Sequence, residues 1–358
     1  MSKPRLHPIM QFNINYLCFI NKDHQVTQNL PDFADEKNLK ELYRRMLQIR
    51  ILDTKAINLQ RMGKLGTYAS SCGQEAVTVG IGHAMNPDDV YCPAYRDQGV
   101  LIQRRIAINE ILSVWGGDER GNAFQNNQTD LPTCVTVSGQ CLHAAGVAYA
   151  FKYRKQARAA VTIIGDGGTS KGDFYEAINL AGIWNLPLVI IINNNQWAIS
   201  VSRASQTAAQ TLAQKGIAGQ VESIQVDGND VIAVRYAVAE AIQKARSSHG
   251  PSLIEAFTYR LADHTTADDA KRYRQQEIVQ DAWLADPLIR LQQYLIQQGW
   301  WSEEQDQKLK TEIGEETETE IQIYLNKKKA APTDMFDYLY AELPDSLVDQ
   351  REELKFKT

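Results

Sequence analysis

Apolar positions along the chain switch between two periods, and the switching predicts the fold. A helical pattern begins after Asp35, with Leu39, Leu42, Met46 and Ile49 on one face. Residues 140–156, 170–184, 207–215 and 230–246 carry the same spacing. Between them lie short apolar runs at 159–164, 187–192, 222–226 and 252–258, the form expected of strands buried on both faces. Strand and helix alternate, which predicts an α/β fold with a mostly parallel sheet and helices on both faces. Residues 73–112 read as short helical pieces broken by Gly, Pro and Asp, and 116–132 as a long loop. After Arg274 the pattern becomes polar amphipathic helix, with an acidic run at 315–320 expected to be a solvated face. We therefore divide the chain into an arm (1–35) with one strand at 12–20, a binding domain (36–273) and a helical extension (274–358). No internal repeat or low-complexity tract interrupts this order.

Composition changes the picture little. Of 358 residues, 44% are apolar and 23% charged, enough for a large core. The net charge of −5 argues against a nucleic-acid partner, because nothing offsets phosphate repulsion. The basic cluster Arg154, Lys155 and Arg158 stands at a helix end, where cations suit the dipole. The five cysteines form no CxxC and no zinc-type spacing with histidine, which fits reduced thiols in a cytoplasmic protein. The apolar run at 16–20 is too short to span a bilayer and lacks a cleavage signal, so no membrane association is expected.

Chemistry concentrates where the first central strand ends, at Gly165-Asp166-Gly167-Gly168-Thr169-Ser170-Lys171-Gly172-Asp173. Ligands of open α/β sheets bind beyond the carboxyl ends of strands, so this loop is well placed. Glycines let backbone approach a phosphate, and the next helix offers N–H donors. Asp166 would repel a bare phosphate; a divalent cation shared between carboxylate and diphosphate resolves the conflict. A nicotinamide fingerprint fits poorly: its third glycine is Ser170, and the second strand ends in Asn193-Asn194-Asn195 with no carboxylate. Asn195 follows Asp166 by 29 positions, one strand end to the next, so both side chains can reach one ion. The competing reading of the asparagines is a simple turn.

Gly165-Asp166-Gly167 with Asn194-Asn195 resembles a thiamine-diphosphate signature, and residues 165–179 and 194–200 resemble the alpha subunits of pyruvate dehydrogenase, within the 2-oxo acid dehydrogenase family. The likeness extends through Gly73-Gln74-Glu75-Ala76, Tyr95-Arg96-Asp97 and 258–274, and covers roughly 39–347; residues 115–122 resemble bacterial members. It implies the family's thiamine-diphosphate-binding fold. It also implies that Asp166 and Asn195 ligate Mg²⁺ by side chain and Trp197 by its carbonyl, although Tyr or Phe is usual at that last position. Gly165, Gly167, Gly168, Val135 and Val137 would line the cofactor, and Tyr95 and Arg96 would hold its diphosphate. His264 would be the catalytic histidine, touching phosphate or the substrate carboxylate. Thr265 stands where mitochondrial relatives carry a regulated serine, and no such regulation is expected here. His7, His24, His83, His143 and His249 have no comparable context. A further histidine that some relatives carry near Ala69 or Arg120 is absent.

By the same resemblance, the chain would decarboxylate pyruvate and pass the acetyl unit to the lipoyl group of an acyltransferase component. The glutamate that activates the cofactor would come from a beta subunit in an alpha2-beta2 tetramer. Residues 226–230 and 298–301 also resemble the branched-chain 2-oxo acid enzyme, and acetoin dehydrogenase is a third relative. A non-catalytic α/β binding protein is the reading from another class. Intact Asp166, Asn195, Arg96 and His264 speak against it.

Overall fold

A computed structural model describes residues 7–337 and 339–354. The first half of the chain contains β1 (Asn15–Leu17), α1 (Glu36–Arg61), α2 (Glu75–Ala84), β2 (Val90–Cys92), α3 (Gln98–Gln103), α4 (Ile108–Trp115) and α5 (Gly139–Tyr153). Then come β3 (Ala160–Gly165), α6 (Gly172–Ile183), β4 (Leu188–Asn194), β5 (Trp197–Ala198), β6 (Val201–Ser202), α7 (Arg203–Gln206), β7 (Glu222–Asp227), α8 (Val231–Arg246) and β8 (Ser252–Phe257). Helices α9 (Gln276–Trp283), α10 (Pro287–Gln297), α11 (Glu303–Leu325), α12 (Asp334–Asp337) and α13 (Asp345–Leu354) follow.

Six strands form one sheet in the order β1-β7-β8-β4-β3-β2, every pair parallel. Successive side chains on a strand point to opposite faces, and the core divides accordingly. Val161, Ile163, Val189 and Ile191 join one cluster with α1, α2 and α8; Ala160, Ile164, Leu188 and Ile190 join another with α5 and α6. All of β4 is buried, which is why its apolar run does not alternate. Leu291 and Leu295 of α10 and Ile313 and Ile321 of α11 belong to the same cluster as α1.

Helix α1 starts where its cap dictates, with Asp35 accepting from the Asn38 N–H at 2.8 Å. The arm departs from expectation in being a strand of only three residues, β1, laid on the sheet edge beside β7. Beyond Leu17 its N–H groups are diverted: Asp230 Oδ2 accepts from Phe19 at 2.7 Å and Ile20 at 2.9 Å. Its Oδ1 caps α8 through the N–H groups of Ile232 and Ala233. Asp230→Ala would orphan all these buried donors. We expect it to lower unfolding free energy by ~3 kcal/mol, checked by urea denaturation, with Asp230→Asn recovering part of the loss.

Two other expectations are corrected. Residues 207–215 do not form a helix; α7 ends at Gln206, and a 3-10 segment runs Ala213–Gly219. Tertiary bonds override the helical spacing there: Arg203 binds the carbonyls of Ala209 and Gln210, and Glu255 takes the Ala213 N–H at 2.9 Å. Strand β2 lies inside the region read as broken helix, too short to show a period. The acidic run is the exposed face expected, and on it Glu316 pairs with Arg44 and Glu318 with Lys55, both at 2.6 Å. Glu320 accepts from Asn109 of α4 at 2.7 Å, so the run stitches α11 to α1 and α4. Each exposed pair contributes about 0.2–1 kcal/mol, which makes this a seam rather than a foundation.

Candidate functional site

Strands β2, β3, β4 and β8 end side by side, and a cleft of about 510 Å³ opens beyond their carboxyl ends. All eleven residues singled out in the sequence line it, from Tyr95 and Arg96 after β2 to His264 after β8. A second cavity of about 430 Å³ lies across the loop 261–274. The two differ in polarity. The first holds six buried polar atoms without a protein partner: Gln74 Nε2, Ser138 Oγ, Gln140 Oε1, Asp166 Oδ2, Asn193 Oδ1 and Gln206 Oε1. Among the described residues lining the second, only Arg274 Nε is in that state. Buried polar groups are rarely left unpaired, so the first cleft offers polar atoms for a ligand or water to satisfy.

Asp166 opens the 3-10 turn Gly167–Ser170, which Thr169 closes by donating to the Asp166 carbonyl at 2.7 Å. Behind the turn, buried Lys215 donates to the Thr169 carbonyl at 3.0 Å and hydroxyl at 2.9 Å. Burial pushes the Asp166 carboxyl up to about 6. The glycines have distinct reasons. A Cβ on Gly167 would meet the Ala198 Cβ at 2.6 Å, and one on Gly168 the Ile164 Cγ1 at 2.6 Å. At Gly165 a Cβ would meet nothing within 4 Å, so that glycine leaves open room beside the loop.

Asn195 turns its Nδ2 to Gln74 Oε1 at 2.8 Å, and its Oδ1 accepts from the Trp197 N–H at 3.2 Å. Asn194 takes another direction, donating to buried Glu255 at 2.6 Å. Trp197 is held by Tyr259, which accepts from its Nε1 at 3.0 Å, and by the Tyr273 ring with centroids 5.4 Å apart. Its carbonyl accepts a long bond of 3.4 Å from Arg260. Among the described residues, no three His, Cys, Asp or Glu side chains cluster as metal ligands. A cation here would rely on one carboxylate, one amide oxygen, a main-chain carbonyl and the ligand's own oxygens. Such an all-oxygen set suits Mg²⁺.

The opposite wall is cationic. Arg96 donates to the Ser70 carbonyl, to the His264 carbonyl at 2.8 Å, and approaches His264 Nδ1 at 3.1 Å. Arg260, fully buried, approaches the same Nδ1 at 3.2 Å and donates to Ile199 O and Tyr273 Oη, each at 2.7 Å. The terminal nitrogens of Arg96 are thus engaged by carbonyls and the imidazole. Tyr95 packs edge-on to His264, with ring centroids 6.3 Å apart. Burial and the two guanidiniums hold His264 down at about 4.

With both guanidiniums facing Nδ1, that nitrogen is the acceptor, and the proton of neutral His264 sits on Nε2. The pH dependence follows. Between about 4 and the ordinary 6.5 the unfolded chain holds the extra proton, so this contribution to stability rises with pH. It is complete above 6.5 and lost as pH falls through about 4. Urea unfolding at a series of pH values is expected to show that slope in the native chain and not in His264→Asn. Equal slopes would mean the imidazole titrates normally.

Gln74, Arg260, Lys215 and Ser138 had no role in the sequence reading. Gln74 and Arg260 lie within the motifs quoted for the resemblance, but their spacing alone signals nothing. Ser138 shows no sequence signal; its φ of 77° places it in the left-handed region just before α5.

The family model described as "Dehydrogenase E1 component" matches residues 43–333. A pyruvate dehydrogenase E1 component subunit alpha of Acholeplasma laidlawii is 39% identical over 332 residues, 92% of this chain and 96% of that protein. The protein of the same name from Mycoplasma pneumoniae is 36% identical over 340 residues, 95% of each. That from Staphylococcus aureus is 39% identical over 329 residues, 92% of this chain and 89% of its own. The chain therefore belongs to the dehydrogenase E1 component family and is a 2-oxo acid dehydrogenase component.

Proposed function

We propose that this chain is the alpha subunit of a pyruvate dehydrogenase, holding thiamine diphosphate and Mg²⁺ in the cleft beyond β3 and β4 and working with a beta subunit. The observation that carries the reading is the cluster of unpartnered buried polar atoms, with Asp166 Oδ2 among them, beside a glycine loop and across from Arg96. One end of the cleft calls for a cation and the other for negative charge, the demands of a metal-bound diphosphate. Asp166, Asn195 and the Trp197 carbonyl would hold the metal, Gly167 and Gly168 would present backbone to the phosphates, and Val135 and Val137 would supply apolar wall. When bound, thiamine diphosphate supplies the chemistry that cleaves the bond to the departing carboxyl group. His264, with its proton on Nε2, would donate a hydrogen bond to a phosphate or substrate oxygen.

Pyruvate is favoured over bulkier oxo acids by the relatives, which are named for the pyruvate enzyme. Turnover of pyruvate is expected to exceed that of 3-methyl-2-oxobutanoate by at least tenfold in kcat/KM. A preference for the branched substrate would make this a branched-chain enzyme. The acetyl acceptor in this proposal is the lipoyl group of an acyltransferase component, read out as reductive acetylation of a free lipoyl domain.

A further inference from the structure

Two asparagine amides meet one glutamine. Gln74 Oε1 accepts from Asn193 Nδ2 at 3.0 Å and from Asn195 Nδ2 at 2.8 Å. Gln74 is fully buried, and its N–H donates to the Ser71 carbonyl at 2.8 Å. The turn before it is pressed onto the exit of β8. Gly73 stands at φ +90°, and a Cβ there would meet the Tyr259 carbonyl at 2.4 Å; the Thr258 hydroxyl donates to the Gly73 carbonyl at 2.7 Å. Gln74 is therefore tied by backbone to the strand end beside β4, and its side chain bridges to the asparagines.

A primary amide has one oxygen and one nitrogen, so fixing the nitrogen fixes where the oxygen points. With both Nδ2 groups on Gln74, Asn195 Oδ1 is committed to the opposite side, the side a cation needs. The reverse arrangement, with Gln74 donating through Nε2 to both asparagine oxygens, would keep both contacts to Gln74 but give up the bond from the Trp197 N–H to Asn195 Oδ1. It would then turn amide hydrogens toward the cation. The choice between these arrangements is a binary switch in the sign of the site.

We infer that Gln74 is a positioning residue that, together with the Trp197 N–H, sets the amide orientation of Asn195, and alone that of Asn193, and so creates the oxygen-lined cation site. This rests on the reading of the cleft as a Mg²⁺–thiamine diphosphate site. The acceptor role can be isolated chemically. Glutamate at 74 keeps length and acceptor and cannot donate when ionised; leucine keeps bulk and removes the acceptor.

The test uses the chain co-expressed with its beta subunit, with Mn²⁺ as spectroscopic probe and thiamine diphosphate present. Bound Mn²⁺ is read by electron paramagnetic resonance, and folding by thermal melting. Gln74→Glu is expected to bind Mn²⁺ at least as tightly as the native complex. Gln74→Leu is expected to bind it ~10–100-fold more weakly, the usual cost of losing a group that orients a ligand. Native-like Mn²⁺ affinity in Gln74→Leu would overturn the inference. Should the leucine variant fail to fold, a tenfold weakening in Gln74→Glu would overturn it alone, because only the reversed arrangement needs a donor at 74. Absence of metal binding by the native complex would instead overturn the assignment of the cleft.

Discussion

Asp166→Ala is expected to abolish metal-dependent binding of thiamine diphosphate. In calorimetric titrations of the assembled alpha–beta complex, the native protein should bind in the presence of Mg²⁺ and lose that binding in EDTA. The variant should behave like the EDTA sample throughout. The size of the effect follows from the geometry. Asp166 contributes a buried carboxylate whose Oδ2 has no protein partner, while the other proposed ligands are a neutral amide and a carbonyl. Removing the one charged ligand leaves the diphosphate facing a site without a cation, and we expect a loss of at least ~10³-fold in affinity, or ~4 kcal/mol. Asp166→Asn should be nearly as damaging, since it restores shape without charge. Tight binding by the alanine variant would mean that the loop is a structural turn and that the cofactor sits elsewhere.

Purified without its beta subunit, the chain is expected to show less than about 1% of the complex's rate, and to regain it on reconstitution. Among the described residues, no glutamate lines the cleft. Its carboxylates are Asp166, assigned to the metal, and Asp97, which is buried and accepts from the Tyr91 hydroxyl at 2.8 Å and the Ala94 N–H at 2.5 Å. Burial pushes Asp97 up to about 7, but its bonds direct it into the β2 turn. On the proposed reading, the described residues of the cleft would hold a diphosphate and offer no carboxylate to the far end of the cofactor. Substantial turnover by the isolated chain would overturn the two-subunit reading.

Legibility in the sequence tracks how local each determinant is. The buried strands β3 and β4 are largely apolar runs closed by Gly or Asn, and their limits are written in neighbouring residues. Asp35 and Asp230 announce their helices for the same reason. That Asp166 and Asn195 would line one cleft was legible because two adjacent parallel strands bring a fixed interval in sequence to neighbouring strand ends. Gln74 was not, because its meaning depends on amides 119 and 121 positions away. Arg260 looked like one more cation in a polar loop until folding buried it between Tyr273 and the carbonyl of Ile199. Residues 207–215 misled because the spacing was helical and the bonds that overrule it come from Arg203 and Glu255.

The unpartnered polar atoms of the cleft also bear on how long the chain survives in a cell. A buried group without a partner costs about 1–3 kcal/mol, so a ligand that pairs these atoms and binds only the folded chain favours the folded form. A ligand present at a hundred times its dissociation constant adds about 2.7 kcal/mol to stability. Differences of that size alter how often a protein opens and is cleared by proteases. The abundance of this subunit should therefore follow the supply of its vitamin: during thiamine starvation the chain would be degraded faster at unchanged rates of synthesis.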